Sequence, residues 1–230
     1  EMAEITARAI AAVCDRRYKF NTKRVLVGST GRIGVTLPMQ NMKRGILDAA
    51  KVLGSSIEQS NQVAEAIMTS DTRPKQIAVE FSLGGKKIRI GGVCKGAGMI
   101  QPGMSSTGAR PAASPLHATM LCFITTDAAI EKKTLQSALE EAVAQSFNRI
   151  TVDGDMSTND TVLVLANGMA SNSRLVTRHP SLVTFQSALN HVCLELAKKI
   201  VRDGEGVSRF VTVRVTGARN FSDADAAARA

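Results

Sequence analysis

Aromatic side chains are scarce in this sequence. It contains one tyrosine, seven phenylalanines and no tryptophan among 230 residues, whereas hydrophobic residues together make up 44%. The composition therefore predicts a sizeable core that is aliphatic and rich in alanine. The same scarcity argues against nucleic acid as a partner, because aromatic rings are the usual platforms on which bases stack.

Long apolar runs are absent as well. No run approaches the ~18 residues of a membrane-spanning helix, and the first residues lack the pattern of a secretory signal. We therefore expect no membrane anchor and a cytoplasmic location. Residues 1–5 have the composition of a helix interior, so we also expect the sequence to begin inside a larger protein.

Cysteine and histidine motifs are missing too. The four cysteines are far apart without CxxC spacing, and the three histidines form no ligand cluster. This pattern favours buried, reduced thiols in a cytoplasmic protein over disulfides, and it predicts no metal site. The residues concerned are Cys14, Cys94, Cys122, Cys193, His117, His179 and His191.

Nucleotide-binding fingerprints do not occur. No GxGxxG follows a predicted strand and no GxxxxGK[ST] is present, so no cofactor is predicted. The net charge of +9 invites a nucleic-acid interpretation, but the basic residues are scattered in pairs along the chain. Anionic small-molecule substrates or solubility explain the charge as well. A basic binding module without enzymatic activity stays open as an alternative.

Hydrophobic periodicity predicts both helices and strands. The strongest signal is a hairpin, in which two alternating runs at 76–83 and 86–93 flank Gly84-Gly85. Because the elements alternate as hairpins and helix pairs, we predict an α/β fold of the α+β layered-sandwich type, not a doubly wound parallel sheet. Predicted helices lie at 3–15, 40–53, 60–68, 134–147, 181–201 and 223–230, and further strands at 23–28, 118–127, 161–165 and 209–216.

One stretch, Lys95 to Asp127, combines a lysine on a small-residue turn, a loop rich in Ser, Gly, Pro and Ala, and an apolar run. Thr119 stands where the loop meets that run. A threonine hydroxyl is a weak nucleophile until a base removes its proton, and a free α-amine with a pKa of roughly 7.7–8.0 can be that base. Cleavage of the 118–119 bond would create such an amine. The alternative is that Thr119 merely begins a strand.

Three other motifs could carry chemistry. Thr30 and Gly31 follow a predicted strand, and a hydroxyl beside a glycine amide could form an oxyanion hole or only an ordinary turn. Glu205, between glycines at the end of a helix, could bind a substrate ammonium group or only face solvent. The acidic run at 153–160 lacks the last glutamate of a calcium loop, so we expect its side chains to hydrogen-bond a turn.

Several blocks together resemble the ornithine acetyltransferase (glutamate N-acetyltransferase) family of arginine biosynthesis. Their order and character match across nearly the whole chain, which is far more specific than any single motif. The blocks are STGRIG at 29–34, AIMTSDTRPK at 66–75, GGVCKGAGMIQP at 91–102, HATMLCFITTDAA at 117–129, FNRITVDGDMSTNDTVLVLANG at 147–168 and DGEGVSRFVTVRVTGA at 203–218.

The resemblance implies a layered α/β fold analogous to N-terminal-nucleophile hydrolases. It implies self-cleavage between Ala118 and Thr119, which divides the chain into an α-portion, 1–118, and a β-portion, 119–230. Thr119 would be the nucleophile and Thr30 with Gly31 the oxyanion hole. The residues implied to line the substrate site are Thr69, Lys95, Thr119 and Glu205.

The reaction implied is a ping-pong transfer, in which N-acetylornithine gives its acetyl group to Thr119 and glutamate then takes it. Some members of the family also use acetyl-CoA. Two α and two β chains would assemble into a heterotetramer. An amidase or aminopeptidase with the same nucleophile is the alternative.

Three features depart from the family pattern. Residues 105–117 are longer than the usual connection between the two blocks that flank them. The family extends well beyond both ends of this sequence, so the chain is expected to be a central fragment. A block that supplies an asparagine and a threonine to the substrate site is among the parts it lacks, and the isolated fragment is expected to be inactive.

Overall fold

A four-stranded sheet forms the centre of the structure, a computed structural model that describes residues 1–14, 21–31, 34–104, 120–157 and 159–229. Strand order follows chain order. β1 pairs antiparallel with β2, β2 pairs antiparallel with β3, and β3 pairs parallel with β4. The strands are β1 Lys75–Leu83, β2 Lys86–Lys95, β3 Leu121–Thr126 and β4 Thr161–Ala166.

The predicted hairpin is confirmed as β1 and β2. Gly84 and Gly85 connect the strands with φ values of +54° and +78°, a conformation that side chains with a Cβ rarely adopt. Two positive φ values at the centre of a two-residue loop match the right-handed twist of the flanking strands. The glycines therefore fix the register in which Lys75 faces Cys94.

Six α-helices accompany the sheet in the described ranges, and each corresponds to a helix predicted from periodicity. α3 begins with a capping box, in which the Ser56 hydroxyl accepts from the Gln59 amide and the Gln59 side chain accepts from the Ser56 amide. The helices are α1 Met2–Val13, α2 Met39–Lys51, α3 Ile57–Ala66, α4 Lys132–Ala144, α5 Leu182–Arg202 and α6 Phe221–Arg229; short 3₁₀ helices lie at Thr22–Arg24 and Phe147–Arg149.

The core lies between one face of the sheet and the layer formed by α4 and α5. α5 crosses β1 and β2, and a Cβ added at Gly92 would lie 2.9 Å from Cδ1 of Leu196, so glycine permits this close approach. Aliphatic side chains dominate the core, as the composition predicts. The fully buried members include Ile88, Ile90, Ile124, Leu189, Val192, Leu196 and Ile200, with two aromatic rings, Phe147 and Phe185.

The predicted α/β class, with helices layered on a sheet, is confirmed. β1 and β2 belong to the predicted α-portion, and β3 and β4 belong to the predicted β-portion. The two portions therefore contribute neighbouring strands to one sheet. Three of the four cysteines are buried, and burial raises the pKa of the Cys94 and Cys193 thiols to about 12. Within the described ranges, no helix combines the length and apolarity needed to cross a membrane.

Two strand predictions are wrong. Residues 23 and 24 belong to a 3₁₀ helix and residues 25–28 have no regular secondary structure. Residues 209–216 have none either, and they pair with no strand in the described part of the chain. Apolar runs and alternation favour extended backbone, but a strand also needs a hydrogen-bonded partner. Leu26, Val211 and Val213 are accordingly 57%, 71% and 64% exposed.

Candidate functional site

The ends of five elements meet at one end of the sheet. β1 begins there at Lys75, β2 ends there at Lys95, and β3 and β4 begin there. α5 ends at the same place, because Asp203, which follows its last residue, contacts Lys75. Buried charged side chains gather at this junction, which is the candidate site.

Asp71, Lys75 and Asp203 form a buried ion cluster. The Lys75 ammonium donates to Oδ1 of Asp71 at 2.6 Å and to Oδ2 of Asp203 at 2.5 Å, and all three side chains are at most 7% exposed. Asp203 also accepts hydrogen bonds from the Thr72 hydroxyl and from the amides of Thr72 and Arg73. The cluster joins the loop after α3, the first residue of β1 and the end of α5.

The cluster is held in its charged form. Burial by itself raises the pKa of Asp71, but hydrogen bonds from Lys75 and from the amides of Gly96 and Thr69 outweigh it, and the pKa lies below its ordinary value. Burial likewise acts to raise the pKa of Asp203, and hydrogen bonds from Lys75 and Thr72 lower it overall. Both carboxyl groups are therefore carboxylates at neutral pH.

Asp71 links this cluster to two of the predicted site residues. Its Oδ1 accepts from the Gly96 amide at 2.6 Å, and its Oδ2 accepts from the Thr69 amide at 3.1 Å. The Lys95 ammonium lies 3.8 Å from Oδ2. One carboxylate thus contacts the loop that carries Thr69 and the turn that begins at Lys95.

Lys95 is a buried lysine, only 1% exposed, at the end of β2. Burial lowers the pKa of its ammonium; Lys75 lowers it further, whereas Asp71, Glu205 and Asp160 raise it, and the net shift is downward. Lys95 is the register partner of Leu121, two residues after Thr119. Partners in an antiparallel pair carry their side chains on the same face of the sheet, here the face opposite the one that packs on α5.

Glu205 lies against the small-residue turn that follows Lys95. Its amide donates to the carbonyl of Ala97 at 2.7 Å, and a Cβ added at Gly98 would lie 2.7 Å from its carboxyl carbon. The Glu205 side chain thus occupies the space that any larger residue at 98 would need. Thr69, Lys95 and Glu205, which are far apart in sequence, meet around Asp71 and the 95–98 turn.

Ala118 and Thr119 lie outside the described residues, as do residues 105–117. The next residue, Met120, is fully buried and is held by the start of β4: its amide donates to Oδ1 of Asp160 at 3.2 Å, and its carbonyl accepts from the Thr161 amide at 3.0 Å. The chain that follows the predicted cleavage point is therefore fixed by two hydrogen bonds of the Met120 backbone, one to a side chain and one to a backbone amide. The nucleophile and cleavage assignments stay predictions.

Thr30 and Gly31 follow a segment that contacts β3. A Cβ added at Gly28 would lie 3.1 Å from the Phe123 ring and 3.8 Å from Leu121, so the chain passes closely over the face that also bears Lys95. Thr30 is half-buried and Gly31 is exposed. Thr30 and Gly31 are two and three residues beyond Gly28, which makes this contact with β3. Their assignment as an oxyanion hole stays a prediction.

The acidic run at 153–160 supports the turn, as predicted. The Asp153 carboxylate accepts from the amides of Met99, Ile100 and Asp155. Met99 has a φ of +54°, which is unfavourable for a residue with a side chain, and two of these hydrogen bonds hold it and its neighbour. Among the described residues, no group of three His, Cys, Asp or Glu side chains is arranged to hold a metal ion.

Sequence reasoning missed Asp71, Asp203 and Asp160 as members of the site. No motif in the sequence by itself assigns a role to Asp71 or Asp203. Lys75 and Asp203 are 128 residues apart, so no local pattern joins them. The blocks that resemble the family do contain these residues: Asp71 and Lys75 lie in the block at 66–75, and Asp203 lies in the block at 203–218.

The comparisons with known proteins agree with the resemblance. The sequence model of the ArgJ family matches residues 2–230. The chain is 47% identical over 213 residues to a glutamate N-acetyltransferase of Methanocaldococcus jannaschii, covering 93% of this chain and 49% of that protein. It is 47% identical over 230 residues to the arginine biosynthesis bifunctional protein ArgJ of Symbiobacterium thermophilum, covering 100% of this chain and 52% of that protein.

A solved structure, that of the arginine biosynthesis bifunctional protein ArgJ of Bacillus halodurans, is 50% identical, with a TM-score of 0.42 over 44% of this chain and 47% of that one. The chain spans about half the length of the curated relatives it matches. The family match over nearly every residue, with relatives at 47% identity, identifies the sequence. The chain belongs to the ArgJ family.

Proposed function

We propose that this chain forms part of an acetyltransferase that moves an acetyl group from N-acetylornithine to glutamate in arginine biosynthesis. The observation that carries the proposal is the convergence of Thr69, Lys95 and Glu205 at one end of the sheet in a member of the ArgJ family. The names of the relatives, glutamate N-acetyltransferase and arginine biosynthesis bifunctional protein, support the activity.

The charges of the site suit amino-acid substrates. A buried ammonium at Lys95 can pair with the α-carboxylate of N-acetylornithine or of glutamate, and such charge-assisted hydrogen bonds are among the stronger ones in proteins. The Glu205 carboxylate lies against Gly98 of the same turn and can pair with the side-chain ammonium of ornithine. The two charges thus recognise opposite ends of the donor.

Thr119 carries the chemistry in this proposal. After cleavage of the 118–119 bond, its free α-amine takes the hydroxyl proton, and the oxygen attacks the acetyl carbonyl. The amide C–N bond breaks, the amine leaves as ornithine with the transferred proton, and an acetyl ester forms on Thr119. Thr30 and Gly31 donate to the oxyanion of the tetrahedral intermediate.

Glutamate completes the cycle. Its α-amine attacks the ester carbonyl, the C–O bond to Thr119 breaks, and N-acetylglutamate departs while the hydroxyl regains its proton. Water must be excluded during the lifetime of the ester, because hydrolysis would release acetate. We further propose that the cleaved portions, 1–118 and 119–230, stay associated through their shared sheet, in a cytoplasmic heterotetramer of two α and two β chains.

The choice of acceptor tests the reaction type. With the complete gene product and N-acetylornithine labelled in the acetyl group, we expect label to appear in N-acetylglutamate and its release to depend on added glutamate. Release as acetate at a rate that ignores glutamate would contradict the transferase and favour an amidase. Acetyl-CoA is the second donor to test, since the resemblance implies that some family members accept it.

Glycine at position 98 is expected to be needed for donor binding. Replacing Gly98 by alanine would place a Cβ 2.7 Å from the Glu205 carboxyl carbon and force the carboxylate to move. Since a displacement of about 1 Å can cost on the order of a hundredfold in rate, we expect kcat/KM for N-acetylornithine to fall about ten- to a hundredfold.

The matched control is Gly45→Ala in α2. No atom of the described residues lies within 4 Å of the added Cβ, and alanine favours a helix over glycine by about 1 kcal/mol. Steady-state kinetics of both variants give the comparison. Equal kcat/KM for Gly98→Ala and Gly45→Ala would show that Glu205 does not act on the donor from its present position.

A further inference from the structure

We propose that Asp71 is a positioning residue that sets both the place and the charge of Lys95. This inference rests on the proposed function, in which the Lys95 ammonium binds the substrate carboxylate. None of the motifs in the sequence singles out Asp71, and the inference is carried by its contacts and its charge. It predicts that Asp71 acts on substrate affinity and on the pH range in which that affinity persists.

Asp71 is placed to fix the position of Lys95. Asp71 is 7% exposed, and its two oxygens are divided between the parts of the site: Oδ1 accepts from Lys75 and Gly96, and Oδ2 accepts from Thr69 and lies 3.8 Å from Lys95. The amide of Gly96 directly follows Lys95 in the chain. A hydrogen bond there fixes the backbone from which the lysine side chain extends.

The charge of Asp71 also acts on the Lys95 ammonium. Lys95 is buried, which disfavours its charged form, and four charged groups act on it from the surrounding elements. Asp71 from the loop after α3, Glu205 from the segment after α5 and Asp160 from the start of β4 favour the ammonium, and Lys75 from β1 opposes it. Asp71 has the largest effect of these four. Removing its charge therefore lowers the pKa of Lys95 further.

The charge of Lys95 sets the direction in which substrate affinity changes with pH. Lys95 binds a carboxylate only when protonated, so affinity is present at low pH and is lost as the pH rises through the pKa of Lys95. With that pKa lowered, the loss begins at a lower pH. N-acetylornithine has no group that titrates between about pH 6 and 9, so the pH dependence of its KM reports groups of the enzyme. The α-amine proposed for Thr119 titrates in the same range but is common to the wild type and the variant. The shift between their two profiles therefore reports Lys95.

The test is Asp71→Asn in the complete gene product, with kcat and KM for N-acetylornithine measured from pH 6 to 9. We expect KM at neutral pH to rise by about tenfold while kcat changes by less than about threefold, and the alkaline rise in KM to begin at lower pH than in the wild type. A purely structural role would lower the amount of folded enzyme without moving the pH profile.

Asp203→Asn is the matched control. It removes the other carboxylate that binds Lys75 in the same ion cluster. In the described part of the chain, the hydrogen bonds of the Asp203 side chain join it to Lys75, Thr72 and Arg73, and not to Lys95, Gly96 or Thr69. We expect its KM profile to keep the wild-type midpoint. An equal shift in both carboxylate variants, or none in Asp71→Asn, would overturn the positioning role.

Two further variants keep the result interpretable. Lys95→Met is expected to raise KM and to remove its alkaline rise; a wild-type KM in that variant would refute the proposed role of Lys95 itself and not that of Asp71. If Asp71→Asn does not fold, Asp71→Asn with Lys75→Gln and Asp203→Asn replaces it, because the three substitutions together leave no charge in the cluster. Its midpoint should also move to lower pH, but less, since the opposing charge of Lys75 is lost as well. An unchanged midpoint there would overturn the inference.

Discussion

Replacing Thr119 by alanine is expected to leave the complete gene product as a single uncut chain and to lower acetyl transfer by on the order of a thousandfold or more. The variant lacks the hydroxyl that would attack the preceding peptide carbonyl during cleavage. It also lacks the oxygen that would carry the acetyl group. One substitution should therefore abolish both the two-band pattern on a denaturing gel and the transfer activity.

Two threonine controls make this experiment specific. Thr119→Ser keeps a hydroxyl and should still be cut, with part of the activity retained. Thr125 lies six residues further along the same segment, at an exposed position of β3, and Thr125→Ala should be cut and active like the wild type. An uncut wild type with full activity, or an active Thr119→Ala, would refute a cleavage-dependent threonine nucleophile. Intact mass measurement locates the cut to the residue.

Local signals in the sequence were sufficient for much of the fold. The β1–β2 hairpin is encoded by two alternating runs and by two glycines that accept positive φ. The six helices follow from apolar spacing, and the apolar faces of α4 and α5 are buried in the core beside the sheet. In each of these cases the interaction that decides the structure joins residues close in sequence.

The two wrong strand predictions depend instead on residues that are distant in sequence. Residues 23–28 and 209–216 have the composition of strands, but pairing depends on what lies beside them in space, and neither is paired in the described part of the chain. Phe210 instead lies under the Arg202 guanidinium, 4.8 Å from its ring centre, a contact that no alternation pattern contains. Strand identity was thus decided by tertiary context.

The sequence predicted some residues of the candidate site but not the contacts between them, because those contacts also depend on tertiary structure. The resemblance identified Thr69, Lys95 and Glu205, and the structure gathers them at one end of the sheet. The groups that hold them there were not predictable, because the contacts of Asp203 with Lys75 and Thr72 span 128 and 131 residues. Those contacts exist only after β1 and α5 have packed, since each joins the end of one element to the start of another.

Replacement of Lys75 by methionine should reveal how strongly that cluster stabilises the fold. The Lys75 ammonium is 2% exposed and is the cation that contacts both Asp71 and Asp203. Removing one partner of a buried ion pair leaves a charge without compensation and commonly costs about 3–5 kcal/mol. We expect a loss of that size in the free energy of unfolding, measured by chemical denaturation at pH 7.

Lys198→Met in α5 is the matched control. Its ion pair with Glu195 has a similar length, 2.8 Å, but the two side chains are 32% and 27% exposed, so water already screens the charges. Exposed pairs contribute at most about 1 kcal/mol, and the control should lose no more than that. Equal losses in the two variants would show that burial does not set the strength of the Lys75 contacts.

Acid titration distinguishes loss of charge pairing from loss of packing. Because the pKa values of Asp71 and Asp203 are lowered in the folded state, their contribution to stability is present above their ordinary range near pH 4 and is lost as the pH falls through the lowered values. Lys75 is a major cause of both shifts. The wild type should therefore lose stability steeply below about pH 4, whereas Lys75→Met, already deprived of the pairing, should show a much shallower acid dependence. A variant that is destabilised at pH 7 but keeps the wild-type acid slope would owe its defect to packing.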